Sequence, residues 1–143
     1  MHHDETKSNK IINFIERVCT HVKGDLAGKP FLLEEWQHQY IHDLFGTMND
    51  GGLRQYRTSY VQIPRKNGKS NLSAAIALAV LFVDKEPGAE IYCCASSRDQ
   101  AKIVFDVAKQ MIRNSAILSR ECNVFQNSIV KKGTNSFLKA VAA

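Results

Sequence analysis

Glycine and proline are scarce, at 8 and 3 of 143 residues. That excludes a collagen-like chain. With 44% apolar residues, the chain is also not too polar to bury a core. Long hydrophobic runs are missing: the longest nearly apolar stretch, residues 72–83, is interrupted by Ser73. A membrane-spanning helix needs about 20 such residues, so none is expected. The opening Met1-His2-His3-Asp4-Glu5 carries acids and leads into no apolar run, so no secretory signal is expected. Acids are the minority charge, 14 against 19 Lys and Arg, for a net charge of +5. From position 54 to 69 acids are absent altogether, while Arg54, Arg57, Arg65, Lys66 and Lys69 fall there. A basic stretch of this kind favours a polyanionic partner and makes Arg54 and Arg57 candidate contacts to DNA. No C-x-x-C spacing occurs among Cys19, Cys93, Cys94 and Cys122. Adjacent strand residues point to opposite faces, so Cys93 and Cys94 suit neither a zinc site nor a staple. Buried, reduced thiols of a cytosolic protein are the expectation.

What is present reads as one domain with helices first and an α/β pattern after them. Residues 1–8 are polar and expected to fray. In 10–23 the apolar positions Ile11, Ile12, Ile15, Val18, Cys19 and Val22 form one helical stripe. Gly24 and Gly28-Lys29-Pro30 end it. A second helix is expected over 33–45, then a loop at Asn49-Asp50-Gly51-Gly52. Residues 56–63, rich in aromatic and β-branched side chains, predict a strand. Residues 70–84 predict a helix buried all round, and 89–95 a buried parallel strand. A helix capped by Ser96 or Ser97 follows, with the stripe Ala101, Val104, Phe105, Ala108, Met111 and Ile112. Residues 122–130 and 137–141 predict two strands joined by a turn. Strand–helix alternation argues for a parallel sheet with right-handed crossovers.

The chemistry sits at the junction of the first expected strand and the helix after it. Gly68-Lys69-Ser70 is the end of the phosphate-binding loop pattern, which would occupy 63–70. Gly68 permits a positive φ and close approach of the backbone to a phosphate. The amides that open the next helix lack partners and form an anion site. Lys69 can reach β- and γ-phosphates, and the Ser70 hydroxyl can ligate Mg²⁺. The first glycine of the standard pattern is replaced by Ile63.

Taken together these residues resemble the ATPase domain of the tailed-bacteriophage terminase large subunit. Arg65-Lys66-Asn67-Gly68-Lys69-Ser70 matches that family's loop, which often lacks the first glycine. Leu33-Glu34-Glu35-Trp36-Gln37 is similar to its adenine motif, and 91–101 to the strand and Gln-Ala helix that follow the loop. The hairpin at 128–141 is similar to the strand pair before the family's acidic motif. The resemblance implies a three-layer α/β/α P-loop NTPase fold with a parallel central sheet, preceded by N-terminal helices and incomplete at the C-terminus. Residues 1–29 would be a helical segment and 30–143 a partial ATPase domain. It implies ATP and Mg²⁺ as cofactors. Gln37 would meet the adenine edge with Trp36 beside it. Lys66, Asn67, Gly68, Lys69 and Ser70 would hold the phosphates and metal, and Arg65 would act on the γ-phosphate. Implied partners are double-stranded DNA, the portal protein and the small terminase subunit. A homo-oligomeric ring of the full-length protein, the host bacterial cytoplasm and no membrane complete the implied picture.

The family's ATPase also uses an apolar strand ending in Asp-Glu. Here the adjacent acid pairs are Asp4-Glu5 and Glu34-Glu35, neither following a strand. The chain is therefore expected to be the first part of such a protein, inactive in hydrolysis by itself. Two other readings stand beside it: a helicase-like P-loop ATPase, and a non-catalytic module that binds DNA or a partner protein.

Overall fold

The computed structural model describes residues 1–64, 68–83 and 87–142. Helix α1, Glu5–Val18, starts where the Asp4 carboxylate accepts hydrogen bonds from the N–H groups of Thr6 and Lys7. Helix α2 is Glu35–Gly46, opened by a capping box between Glu34 and Gln37. Ile11, Ile12 and Ile15 of α1 and Ile41 and Phe45 of α2 bury the facing stripes. The expected first helix ran to residue 23, but α1 stops at Val18. Beyond it the backbone is extended: Phe31 N–H donates to the Cys19 carbonyl, His21 N–H donates to the Lys29 carbonyl, and Thr20 bridges Pro30.

The expected fraying of 1–8 is corrected. Strand β1, His2–His3, pairs antiparallel with β2, Thr47–Met48. Ser8 is fully buried, with its hydroxyl 2.7 Å from His42 Nδ1. These contacts fasten the N-terminus to the end of α2.

Helix α3, Lys69–Phe82, is rich in Ala and Leu and buries Leu72, Ala74, Ala75, Leu78, Ala79 and Leu81. Strand β3, Glu90–Ala95, leads into α4, Arg98–Arg113, whose N-cap is the Ser97 hydroxyl accepting from Gln100 N–H. A short helix α5, Ala116–Glu121, was not expected; Ser115 caps it and Leu118 anchors it. The strand expected over 122–130 is two strands, β4 (Cys122–Val124) and β5 (Ser128–Lys131), folded antiparallel on each other. β6, Phe137–Ala142, completes a sheet of order β3-β6-β5-β4.

β3 and β6 are parallel, with Ile91 opposite Leu138, while β6–β5 and β5–β4 are antiparallel. The sheet is thus mixed, not parallel as expected, because a tight turn between neighbouring strands can only join antiparallel ones. α3 and α4 pack together, α4 covers β3 and β6, and α1 joins α3 to α2. Ile15, Leu78, Phe105, Met111, Ile129 and Leu138 fill the interior. Tyr92 and Cys94 on the opposite face of β3 are exposed, so β3 is not buried on both faces as expected.

The strand expected over 56–63 did not form. A strand needs a neighbour for its N–H and C=O groups. Among the described residues no strand lies beside this segment, and Tyr60 is 86% exposed.

The cysteines are free thiols of unequal exposure. Burial pushes the Cys19 pKa up to about 12, while Cys94 lies at the surface. Only a thiolate attacks a disulfide reagent. An Ellman titration should label Cys94 at once and Cys19 only after unfolding; equal rates for the two would contradict this packing.

Candidate functional site

The site is built from the first turn of α3. Gly68 occupies its N-cap with φ +76°, in the left-handed region. A Cβ placed there meets no atom of the described residues within 4 Å, so among them the demand for glycine is one of backbone conformation, not space. Left-handed backbone costs a residue with a Cβ about 1 kcal/mol. Gly68→Ala should therefore lower the unfolding free energy by about 1 kcal/mol in a denaturant titration. No change would mean that the turn is not held as described.

The electrostatics of this turn differ from those of the other long helices. Asp4 caps α1 and Ser97 caps α4, and the first turns of α1, α2 and α4 carry Glu5, Glu35 and Asp99. α3 has neither a side-chain cap nor an acid in its first turn. It carries exposed Lys69 there instead, and neither ion pair among the described residues involves it. A helix start has about half a positive charge and several unpartnered N–H groups. With a lysine added and no acid to offset it, the turn is poised for an anion. Ser70 is half-buried beside it.

No cluster of three acid, His or Cys groups suited to a metal occurs among the described residues. The Ser70 hydroxyl is a hard oxygen donor that fits Mg²⁺, which keeps waters and takes phosphate oxygens readily. The ion would be held mainly through a bound nucleotide.

Trp36 and Gln37 begin α2. Gln37 is buried and its Oε1 accepts from Glu34 N–H at 2.8 Å. The Trp36 indole N–H donates to Glu34 Oε2 at 2.7 Å. Both side chains thus serve the helix start. Thr20 links this region to the loop helix: it bridges Pro30, and its carbonyl accepts from Asn71 Nδ2 at 3.5 Å. The segment leading into Trp36 and Gln37 and the first turn of α3 therefore share one end of the molecule. Arg65, Lys66 and Asn67 lie outside the described residues.

Arg54 and Arg57 are elsewhere. Both are exposed and line a groove with Phe82 and Val83, at the far end of α3. The structure adds Lys7 and Lys10 to that groove, which the sequence reading missed. Their spacing, one helical turn apart on the polar side of α1, was the available signal.

The sequence profile of the family described as "Terminase large subunit, ATPase domain" matches residues 35–142. The chain is 36% identical over 108 residues to the large terminase subunit of Enterobacteria phage HK97, covering 75% of this chain and 20% of that protein. The crystal structure of the HK97 large terminase superposes with a TM-score of 0.77 at 28% identity, covering 95% of this chain and 27% of that one. The chain thus spans about a fifth of the length of that curated relative. Among the described residues no helix is long and apolar enough to cross a membrane.

Proposed function

This chain belongs to the family of terminase large-subunit ATPase domains, and from that premise we propose that it is the nucleotide-holding part of a DNA-packaging motor. In this reading residues 1–29 are a helical segment before a partial ATPase domain at 30–143, and the mixed sheet belongs to a three-layer P-loop fold. Gly68, Lys69 and Ser70 hold the triphosphate of ATP with Mg²⁺, and Lys66 and Asn67 complete the loop. Arg65 stabilises charge that develops on the γ-phosphate, as a positioned arginine does in other phosphoryl transfers. Gln37 offers its amide to the adenine edge and Trp36 packs beside it. The full-length protein would translocate double-stranded DNA, with the portal protein and small terminase subunit as partners, in the host bacterial cytoplasm and as a homo-oligomeric ring.

The observation that carries the reading is the start of α3, which has a left-handed glycine, no side-chain cap, no acid and a lysine in no ion pair among the described residues. The acid pairs in this sequence do not substitute for a water-activating site. Asp4 and Glu34 are occupied at helix starts. This chain by itself should therefore bind ATP and turn it over negligibly. Equilibrium titration with a fluorescent ATP analogue, in parallel with release of labelled phosphate from [γ-³²P]ATP, tests both halves. Saturable binding without steady release is expected. Failure to bind the analogue contradicts the reading. Steady release abolished by Lys69→Ala contradicts the expected inactivity.

A further inference from the structure

We propose that the Glu16 carboxylate positions the 33–37 segment so that Gln37 and Trp36 can tell one nucleotide base from another. Glu16 stands on α1, outside the residues 35–142 that match the family. It is a positioning residue that acts through the Leu33 backbone, not a contact to the base. The inference rests on the nucleotide-holding reading above for the roles of Gln37 and Trp36, and on the contacts of Glu16 for the rest.

Glu16 is half-buried in the last turn of α1. A carboxylate there faces the negative end of its own helix dipole, which is the unfavourable end. Its Oε2 accepts from the Leu33 N–H at 3.0 Å and stands 3.3 Å from His38 Nε2. Leu33 precedes α2 and His38 lies in its first turn, so one oxygen atom spans the place where α2 begins. That place offers the positive end of a dipole and N–H groups without helical partners. The carboxylate is thus at the wrong end of α1 and at the right end of α2. Its placement serves the start of α2, not α1.

The side chains assigned to the base depend on that anchor. Residues 31–33 are fastened to the end of α1 at Phe31, whose N–H donates to the Cys19 carbonyl at 3.0 Å, and at Leu33, through Glu16. Glu34 follows directly. Its N–H donates to Gln37 Oε1 at 2.8 Å, and its Oε2 accepts from the Trp36 indole N–H at 2.7 Å. Gln37 and Trp36 are therefore held through Glu34, and Glu34 through Leu33. Loss of the Glu16 contact leaves the anchor at Phe31, further back along the chain. Phe31 and Leu33 stay buried through their side chains, so the segment should shift and not unfold.

The direction of the Gln37 amide is what selects a base. A side-chain amide accepts at one end and donates at the other. Adenine presents an amino donor where guanine presents a carbonyl acceptor. The Glu34 N–H fixes the oxygen end of the Gln37 amide. A fixed amide suits one of the two edges, whereas one free to turn over satisfies either. Loss of Glu16 should therefore cost base discrimination and spare the phosphate contacts, which belong to the first turn of α3.

The test compares non-hydrolysable analogues of ATP and GTP, by isothermal titration with Mg²⁺, on the 143-residue chain, Glu16→Ala and Glu16→Gln. Circular dichroism and thermal melting establish that Glu16→Ala is folded. If it is not, Glu16→Asp, which withdraws the carboxylate by one methylene, takes its place. The unmodified chain should prefer the ATP analogue by about tenfold, the discrimination a paired amide gives. In Glu16→Ala the preference should fall to about twofold or less, with the affinity for the GTP analogue nearly unchanged. Glu16→Gln keeps an acceptor oxygen for the Leu33 N–H and should restore most of the preference. Trp36 is the single tryptophan, so acrylamide quenching of its emission reads the segment with no nucleotide present. Glu16→Ala should raise that quenching and Glu16→Gln should not. A preference that survives in the folded alanine variant overturns the assignment, even where both affinities drop together. So does quenching that stays unchanged, or a glutamine variant that behaves like the alanine one. Equal binding of the two analogues to the unmodified chain also overturns it, because there is then no base reading to position. Binding of neither analogue sinks the nucleotide reading instead, and is distinguishable from all of these.

Discussion

Lys69→Ala is expected to weaken ATP·Mg²⁺ binding about 100-fold while leaving the fold intact. A hydrogen bond to a charged group contributes about 1.5–3 kcal/mol, and each 1.4 kcal/mol is tenfold in affinity. A lysine spanning two phosphates would make charge-assisted bonds to both, so about 3 kcal/mol is a fair total. Lys69 is exposed at the first position of α3 and in no ion pair among the described residues, so truncating it removes little packing. Isothermal titration with a non-hydrolysable ATP analogue measures the affinity, and a denaturant melt supplies the control. Lys69→Arg should recover little of the loss, because the planar guanidinium fork does not replace a compact ammonium in a tight loop. Affinity unchanged in Lys69→Ala would remove the lysine from the proposed site.

The largest expected effect on stability is at Phe105. It is fully buried on α4, the helix that packs against α3, β3 and β6. Its ring also lies 5.5 Å from Lys109 Nζ. Phe105→Ala removes the transfer free energy of a whole ring and leaves a cavity, a loss of about 3–5 kcal/mol. Domains of this size have about 5–15 kcal/mol in total. A urea titration should show the midpoint collapsing while m stays constant, which marks a change in stability and not in the denatured state. Phe105→Leu keeps most of the volume and should recover more than half of the loss. A loss under about 1 kcal/mol for the alanine variant would mean that α4 does not seat on the sheet as described.

The parts of this fold that were legible in the sequence are those in which local pattern and packing agree. The stripes of α1 and α4 announce one buried face each. The Ala- and Leu-rich run of α3 announces a helix surrounded on most sides. Gly68-Lys69-Ser70 stands out because each residue type has a separate physical reason to be there. Other elements depend on partners that local pattern does not reveal. Residues 56–63 have strand composition, yet composition does not supply a neighbouring strand. β1 is two residues long and exists because Thr47–Met48 lies beside it. Residues 19–23 continue the helical stripe, but their backbone groups are taken by Lys29 and Phe31. The division of 122–130 turns on a tight connection in which Phe125 N–H donates to the Ser128 carbonyl. The basic groove was the least legible, since α1 and the 52–59 segment meet only after α1 and α2 pack.

The resemblance seen in the loop residues and the family match over 35–142, which includes that loop, point the same way. The loop residues supply local chemistry at one helix start. The match extends through α4 and the hairpin strands, where nothing in the local chemistry speaks of nucleotides.

The proposed nucleotide site depends on the first turn of α3 holding a triphosphate. A ¹H–¹⁵N correlation spectrum titrated with Mg²⁺ and a non-hydrolysable ATP analogue reads that turn directly. The largest, saturable shifts should fall on the amides of Gly68, Lys69, Ser70 and Asn71, with those of Arg54 and Arg57 unmoved. Shifts confined to the 52–59 segment, or no shifts at 68–71 with the analogue in large excess, would contradict it.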